Sequence, residues 1–136
     1  MKPSHIEHIG IAVKDLQSAI VLYESVFGLK CYKIEEITEQ GVRTAFFKIG
    51  QTKIELLEST DPEGPVARFI KKKGEGIHHI AFAVKDIQEQ LKHAAANGIR
   101  LVNEVPVKGA DNLDVAFLHP VSTSGVLIEI CEDKKD

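Results

Sequence analysis

The sequence predicts an α+β fold made of two tandem βαβββ modules, and three observations predict it. The first is an internal repeat. Ile6-Glu7-His8-Ile9-Gly10-Ile11-Ala12-Val13-Lys14-Asp15-Leu16-Gln17 returns as Ile77-His78-His79-Ile80-Ala81-Phe82-Ala83-Val84-Lys85-Asp86-Ile87-Gln88. The second is that the match continues downstream, with Ala45-Phe46 answered by Ala116-Phe117 and Ile54-Glu55-Leu56 by Ile128-Glu129-Ile130. The third is that each copy runs through the same order of periodicities: an alternating stretch, a helical stretch, then three alternating stretches. A repeat about half a chain long means two copies of one supersecondary unit that pack about a pseudo-twofold.

In the first copy, residues 5–13 alternate and carry β-branched side chains, which predicts a strand. Asp15 stands as an N-cap. Leu16, Ala19, Ile20, Tyr23, Val26 and Phe27 then recur at helical spacing, and Gly28 ends the helix. Strands are expected over 29–34, 43–49 and 52–57, with Ile49-Gly50-Gln51 as a hairpin turn. In the second copy Asp86 caps and Glu89 completes a capping box. Ile87, Leu91 and Ala95 form the apolar stripe, and Asn97-Gly98 stops the helix. Strands are expected over 100–105, 114–118 and 125–131. Between the copies, Pro62, Gly64 and Pro65 mark a turn, and 66–70 predicts a short helix closed by Gly74. The expected organisation is one domain over 1–136, with modules at about 5–58 and 77–132 and a linker at about 59–76.

Composition narrows the function. An apolar fraction of 43% with 27% charged residues is that of a soluble globular protein. No apolar run approaches the roughly 20 residues needed to span a bilayer, so no membrane partner is expected. Met1-Lys2-Pro3-Ser4-His5 leads straight into a strand, which predicts no signal peptide and a cytoplasmic location. A net charge of −3 without a basic face argues against nucleic acid. Lys71-Lys72-Lys73 and Lys134-Lys135 read as solvated, and Cys31 and Cys131 as two reduced, partly buried thiols.

The chemistry is carried by residues that the repeat doubles. His8 shares a strand face with Ile6, Gly10 and Ala12, and His79 shares one with Ala81 and Ala83. Small neighbours leave room around an imidazole. Glu55 and Glu129 each sit inside an apolar, β-branched strand, where burying a lone carboxylate costs several kcal/mol unless something compensates it. A single strand His is most often a satisfied or surface residue, and a single strand Glu usually faces water. The repeat pairs His8 with His79 and Glu55 with Glu129, which predicts a cluster of two His and two Glu. That donor set suits a divalent first-row metal, and differs from the cysteine-rich, closed shell of structural zinc. His78 points to the opposite face from His79, His5 and His93 have no counterpart, and His119 before Pro120 reads as a turn residue.

On His8-Ile9-Gly10-Ile11-Ala12-Val13, Thr52-Lys53-Ile54-Glu55-Leu56-Leu57, Gly74-Glu75-Gly76-Ile77-His78-His79-Ile80-Ala81-Phe82, Phe117-Leu118-His119-Pro120 and Gly125-Val126-Leu127-Ile128-Glu129, the chain resembles the vicinal oxygen chelate superfamily. Within it, the chain resembles the methylmalonyl-CoA epimerase family over nearly its whole length. The resemblance implies that the modules form an open barrel-like sheet around one metal ion. His8, Glu55, His79 and Glu129 take the ligand positions. Cobalt is the first expectation, with zinc, manganese or nickel as alternatives.

It further implies an isomerase that interconverts the 2R and 2S epimers of a CoA thioester by removing the C2 proton and returning it to the other face. Glu129 and Glu55 are the expected acid/base pair, in a homodimer. The chain departs from the family pattern at three places. Asp111-Asn112-Leu113-Asp114 replaces a His-Gly-Lys-like turn, Val121 replaces a lysine after the His-Pro pair, and Thr44 stands where some epimerases carry a carboxylate. Other readings of the same quartet are a glyoxalase I-type isomerase of a glutathione hemithioacetal and a dioxygenase using His8, His79 and Glu129. A metal-free drug-binding resistance protein is the non-enzyme alternative.

Overall fold

Strand, helix and three strands follow one another twice in the computed structural model, which describes residues 1–134. The first copy comprises β1 (His5–Ala12), α1 (Leu16–Phe27), β2 (Lys33–Ile37), β3 (Val42–Ile49) and β4 (Thr52–Ser59). Helix α2 (Pro65–Lys73) follows, and the second copy comprises β5 (Gly76–Ala83), α3 (Ile87–Ala96), β6 (Val107–Lys108), β7 (Asp114–Leu118) and β8 (Ile128–Glu132). The chain divides into two compact units, one of residues 8–78 and one of residues 1–7 with 79 onward. Among the described residues no helix is long and apolar enough to cross a membrane.

In the first unit the strands lie in the order β2-β3-β4-β1, with β3 antiparallel to β2 and β4, and β1 parallel to β4. One sheet face carries Ala45, Phe47 and Leu56, which pack under Leu16 and Ile20 of α1. Tyr23 joins them, its ring centroid 5.8 Å from that of Phe47. Fully burying side chains of this size contributes roughly 1.5–3 kcal/mol each, so this face holds α1 in place. The second unit repeats the plan in the order β5-β8-β7-β6, with Ile87, Leu91 and Ala94 of α3 packed on Ala116, Leu118 and Ile130.

Both repeat helices start the same way. The Asp15 carboxylate accepts from the Ser18 amide at 3.1 Å, and Asp86 accepts from Glu89 at 3.3 Å. A second acceptor comes from the last strand of each module. Glu58 takes the Leu16 amide at 2.9 Å, and the two oxygens of Glu132 take the Asp86 and Ile87 amides at 3.1 and 3.0 Å. These carboxylates satisfy amides that have no partner inside the helix, and they sit at the positive end of its dipole. Gly28 closes α1 at φ 66°, and Gly74 closes α2 at φ 83°, both in the region that glycine enters without strain.

Three expected strands move. The first, at 29–34, becomes β2 only from Lys33, because Leu29 and Cys31 are drawn into packing against the core under α1 and the Cys31 amide donates to Glu24. The stretch 100–105 forms no strand beyond a single bridge of Leu101 to Leu118. There the Asn103 side chain replaces the backbone ladder: its oxygen accepts the Phe117 amide at 2.8 Å and its nitrogen donates to the Val105 carbonyl at 2.8 Å. The last strand begins at Ile128 rather than 125, since Ser124 and Gly125 take positive φ and the Thr123 hydroxyl donates to the Val126 carbonyl. Ala94, not Ala95, faces the core, and Val26 and Phe27 at the end of α1 are exposed.

The Glu132 caps predict a stability effect. Glu132→Ala removes both outside acceptors of the α3 first turn, and the loss expected is about 1 kcal/mol, read as a lower thermal midpoint with the far-ultraviolet spectrum unchanged. Asp114 predicts a pH effect. Hydrogen bonds from Lys108 (2.9 Å) and Lys134 (3.3 Å) outweigh the opposing effect of burial and hold its carboxyl below the usual 3.8. A lowered folded-state pKa contributes stability above the unfolded-state value and loses it as pH falls through the folded one. Asp114→Asn is therefore expected to be less stable than the parent near neutral pH, by under about 1 kcal/mol for so exposed a cluster, with the gap closing in acid denaturation curves.

Candidate metal and active site

Strand register builds one His–Glu pair in each unit. In the first, β1 and β4 run parallel with Gly10 beside Glu55, so His8 and Glu55 share the face opposite α1. His8 Nδ1 lies 3.3 Å from Glu55 Oε2, and both residues are 2% exposed. On the other side of Glu55, β3 places Phe46 directly opposite. The second unit repeats this with Ala81 and Phe117 on either side of Glu129. His79 Nε2 lies 3.1 Å from Glu129 Oε1, and the Phe117 ring meets the His79 ring edge-on at 5.9 Å.

Each carboxylate therefore has a small residue on one flank, an aromatic wall on the other, and an imidazole in contact. The small residue leaves space for a ligand; the aromatic ring excludes water. Taking an isolated carboxylate out of water costs several kcal/mol, which a contacting imidazolium or a cation offsets. Each pair offers an imidazole nitrogen and a carboxylate, a buried mixed nitrogen and oxygen donor set. The residues fit a divalent first-row ion.

The other histidines lie elsewhere. His93 is exposed on α3, and His5 hydrogen-bonds Ser4. His78 packs edge-on against Phe69 of α2, with ring centroids 5.0 Å apart. His119 has the expected turn role, its Nδ1 accepting the Val121 amide at 3.0 Å. Cys31 and Cys131 are free thiols, and Cys131 is buried. Lys71, Lys72 and Lys73 are exposed. Lys134 pairs with Asp114 instead of being simply solvated, and Lys135 lies outside the described residues.

Sequence reasoning missed four polar positions. Glu58 and Glu132 follow each pair glutamate by three residues, and the repeat itself marks them, as Ile54-Glu55-Leu56-Leu57-Glu58 and Ile128-Glu129-Ile130-Cys131-Glu132. Odd spacing turns them to the helix side of the sheet. Glu75 of Gly74-Glu75-Gly76 accepts the Lys14 amide at 2.7 Å and so fastens the loop after β1. Lys53 is buried on the face of His8 and Glu55, where its alternation with Glu55 was the available signal.

Residues 7–117 match the Glyoxalase/Bleomycin resistance protein/Dioxygenase superfamily. The chain is 39% identical to the mitochondrial methylmalonyl-CoA epimerase of Dictyostelium discoideum, over 93% of this chain and 77% of that one. It is 36% identical to the ethylmalonyl-CoA/methylmalonyl-CoA epimerase of Cereibacter sphaeroides, over 92% of this chain and 95% of that one. A structure of a Streptomyces coelicolor methylmalonyl-CoA epimerase variant in complex with 2-nitronate-propionyl-CoA superposes with a TM-score of 0.95 at 34% identity, covering 98% of this chain and 97% of that one. The doubled βαβββ order, the paired His and Glu, and these similarities agree: the chain belongs to the glyoxalase/bleomycin resistance protein/dioxygenase superfamily.

Proposed function

We propose that the protein is a methylmalonyl-CoA epimerase, an isomerase that interconverts the 2R and 2S forms of its substrate. The observation that carries this reading is the doubled, buried His–Glu pair, His8 with Glu55 and His79 with Glu129, in a chain similar to epimerases along nearly its full length. The two modules, about 5–58 and 77–132 with the linker 59–76 between them, act as a single domain, because each supplies only half of the donor set. His8, Glu55, His79 and Glu129 would hold one divalent ion, cobalt by preference. When bound, it supplies Lewis-acid stabilisation of the negative charge that develops on the substrate's oxygens.

The chain's own groups then have defined tasks. Glu129 removes the C2 proton from one face, and Glu55 returns a proton to the other; the reverse reaction exchanges their roles. Gly10 and Ala81 leave room beside the two carboxylates for the substrate. Phe46 and Phe117 keep bulk water from protonating the carbanion-like centre directly, so that the incoming proton is the glutamate's own, exchanged with solvent between turnovers. His8 and His79 hold the carboxylates in place at 3.3 and 3.1 Å. Two free thiols among the described residues fit a reducing, cytoplasmic setting. The edge strands β2 and β6 offer pairing surfaces for a homodimer.

Proton exchange at C2 of methylmalonyl-CoA in D2O, followed by NMR, tests the function. Cobalt-loaded protein is expected to wash out the C2 proton far above the spontaneous rate, and Glu129→Gln to lose on the order of 100-fold or more. No acceleration by the loaded protein would reject the assignment in favour of hemithioacetal isomerisation. Elemental analysis tests the donor set: the wild type is expected to retain about one cobalt per chain after gel filtration and to gain thermal stability with it. His79→Ala should lose both effects; retention of full metal content would remove His79 from the site.

A further inference from the structure

Thr44 sits in the middle of β3 with no exposed surface, and its hydroxyl has no hydrogen-bond partner. Buried hydroxyls are almost always paired, so an unpaired one needs a reason. Register fixes its face. Thr44 lies opposite Glu35 of β2 and Leu57 of β4, one row along from Phe46 and Glu55. Its neighbours Ala45 and Phe47 point the other way, into the core under α1. The hydroxyl therefore shares the face of His8 and Glu55.

The second copy shows that the fold does not need this group. Ala45-Phe46 corresponds to Ala116-Phe117, so Thr44 corresponds to Val115, which is equally buried in the same place on β7. Valine and threonine have nearly the same shape. One module thus keeps an unpaired hydroxyl where its twin fills the position with a methyl group, which is a difference in chemistry without a difference in packing.

We infer that Thr44 is a substrate-contacting residue whose hydroxyl donates a hydrogen bond to an oxygen of the malonyl head group, on the Glu55 side of the reacting carbon. The inference rests on the epimerase reading. The malonyl head group offers only acceptors, a carboxylate and a thioester oxygen, and the register partners of Thr44, Glu35 and Leu57, bring no donor when the carboxylate is ionised. Access runs through the Lys33–Glu35 pair, which forms the outer layer: Lys33 Nζ lies 4.6 Å over the Phe46 ring and 3.5 Å from Glu35, and the two side chains are 37% and 34% exposed. An ion pair so exposed is weak, and an entering ligand can part it.

Thr44→Val and Thr44→Ser test this by two readouts of opposite sign. In the ligand-free protein, Thr44→Val replaces an unpaired hydroxyl by a methyl group, so its thermal midpoint should equal or exceed that of the wild type. Its KM for methylmalonyl-CoA in the epimerisation assay should rise about tenfold with kcat within about threefold, as expected for a lost hydrogen bond to bound substrate. Thr44→Ser should restore the KM. An active wild type with an unchanged KM in Thr44→Val overturns the assignment alone. A fall in the ligand-free midpoint of Thr44→Val also overturns it, because the hydroxyl would then be satisfied by internal structure. A wild type without C2 exchange overturns the proposed function and this contact with it.

Discussion

Each module must bury a carboxylate, and the rest of its architecture follows from how it does so. A buried Glu needs a partner within contact distance, and in each unit that partner is a His from the first strand of the same module. The His and Glu strands must then be neighbours, which they are: β1 beside β4 and β5 beside β8, both parallel. The strand following β1 in sequence cannot be its neighbour in that sheet. The chain therefore leaves β1, crosses through a helix, lays down two more strands, and returns on β4. A parallel neighbour requires such a crossover, and α1 and α3 are the crossovers. The helix between the His strand and the rest is a consequence of the pair it helps to form.

The same strand that supplies the pair glutamate also fixes the helix. Glu55 and Glu58 are separated by three residues, as are Glu129 and Glu132, so one carboxylate of each couple faces the imidazole and the other faces the helix N-terminus. Any shift of β4 or β8 by one residue would turn each carboxylate to the wrong face, two positions away from the other's place, leaving one set of helix amides and one imidazole without their partner together. Register is therefore set by polar demands on both faces, in addition to the apolar pattern that sets it in most sheets.

The doubled His and Glu were legible because a repeat turns two weak signals into one strong one. The helices were legible because their caps, Asp15, Asp86, Gly28 and Gly74, are local. What escaped depends on distant partners. Nothing near Glu58 or Glu132 announces that it will cap a helix more than forty residues earlier in the chain. The stretch 100–105 has the composition of a strand, yet Asn103 competes for the ladder with its own amide, a contest decided only when Phe117 arrives opposite it. Thr44 looked like a missing base by comparison with its family. In place, its burial and its unpaired hydroxyl give it a different meaning.

Symmetry supplies the pairs, and the breaks in symmetry are where a chiral reaction has to be controlled. The doubled His–Glu pair, one copy in each unit, supplies the two carboxylates that the proposed two-base chemistry requires. It cannot by itself decide which arm of the substrate, carboxylate or thioester, each glutamate meets. Among the matched positions that differ on the site faces are Gly10 against Ala81, Thr44 against Val115, Lys53 against Leu127 and Leu57 against Cys131. Only Thr44 among them brings a hydroxyl, and it stands beside Glu55 rather than Glu129. On the Glu55 side, the Thr44 hydroxyl is the proposed donor that orients the head group. Both epimers can then be held the same way round, so that the proton leaves toward one glutamate and returns from the other while the two arms stay in place.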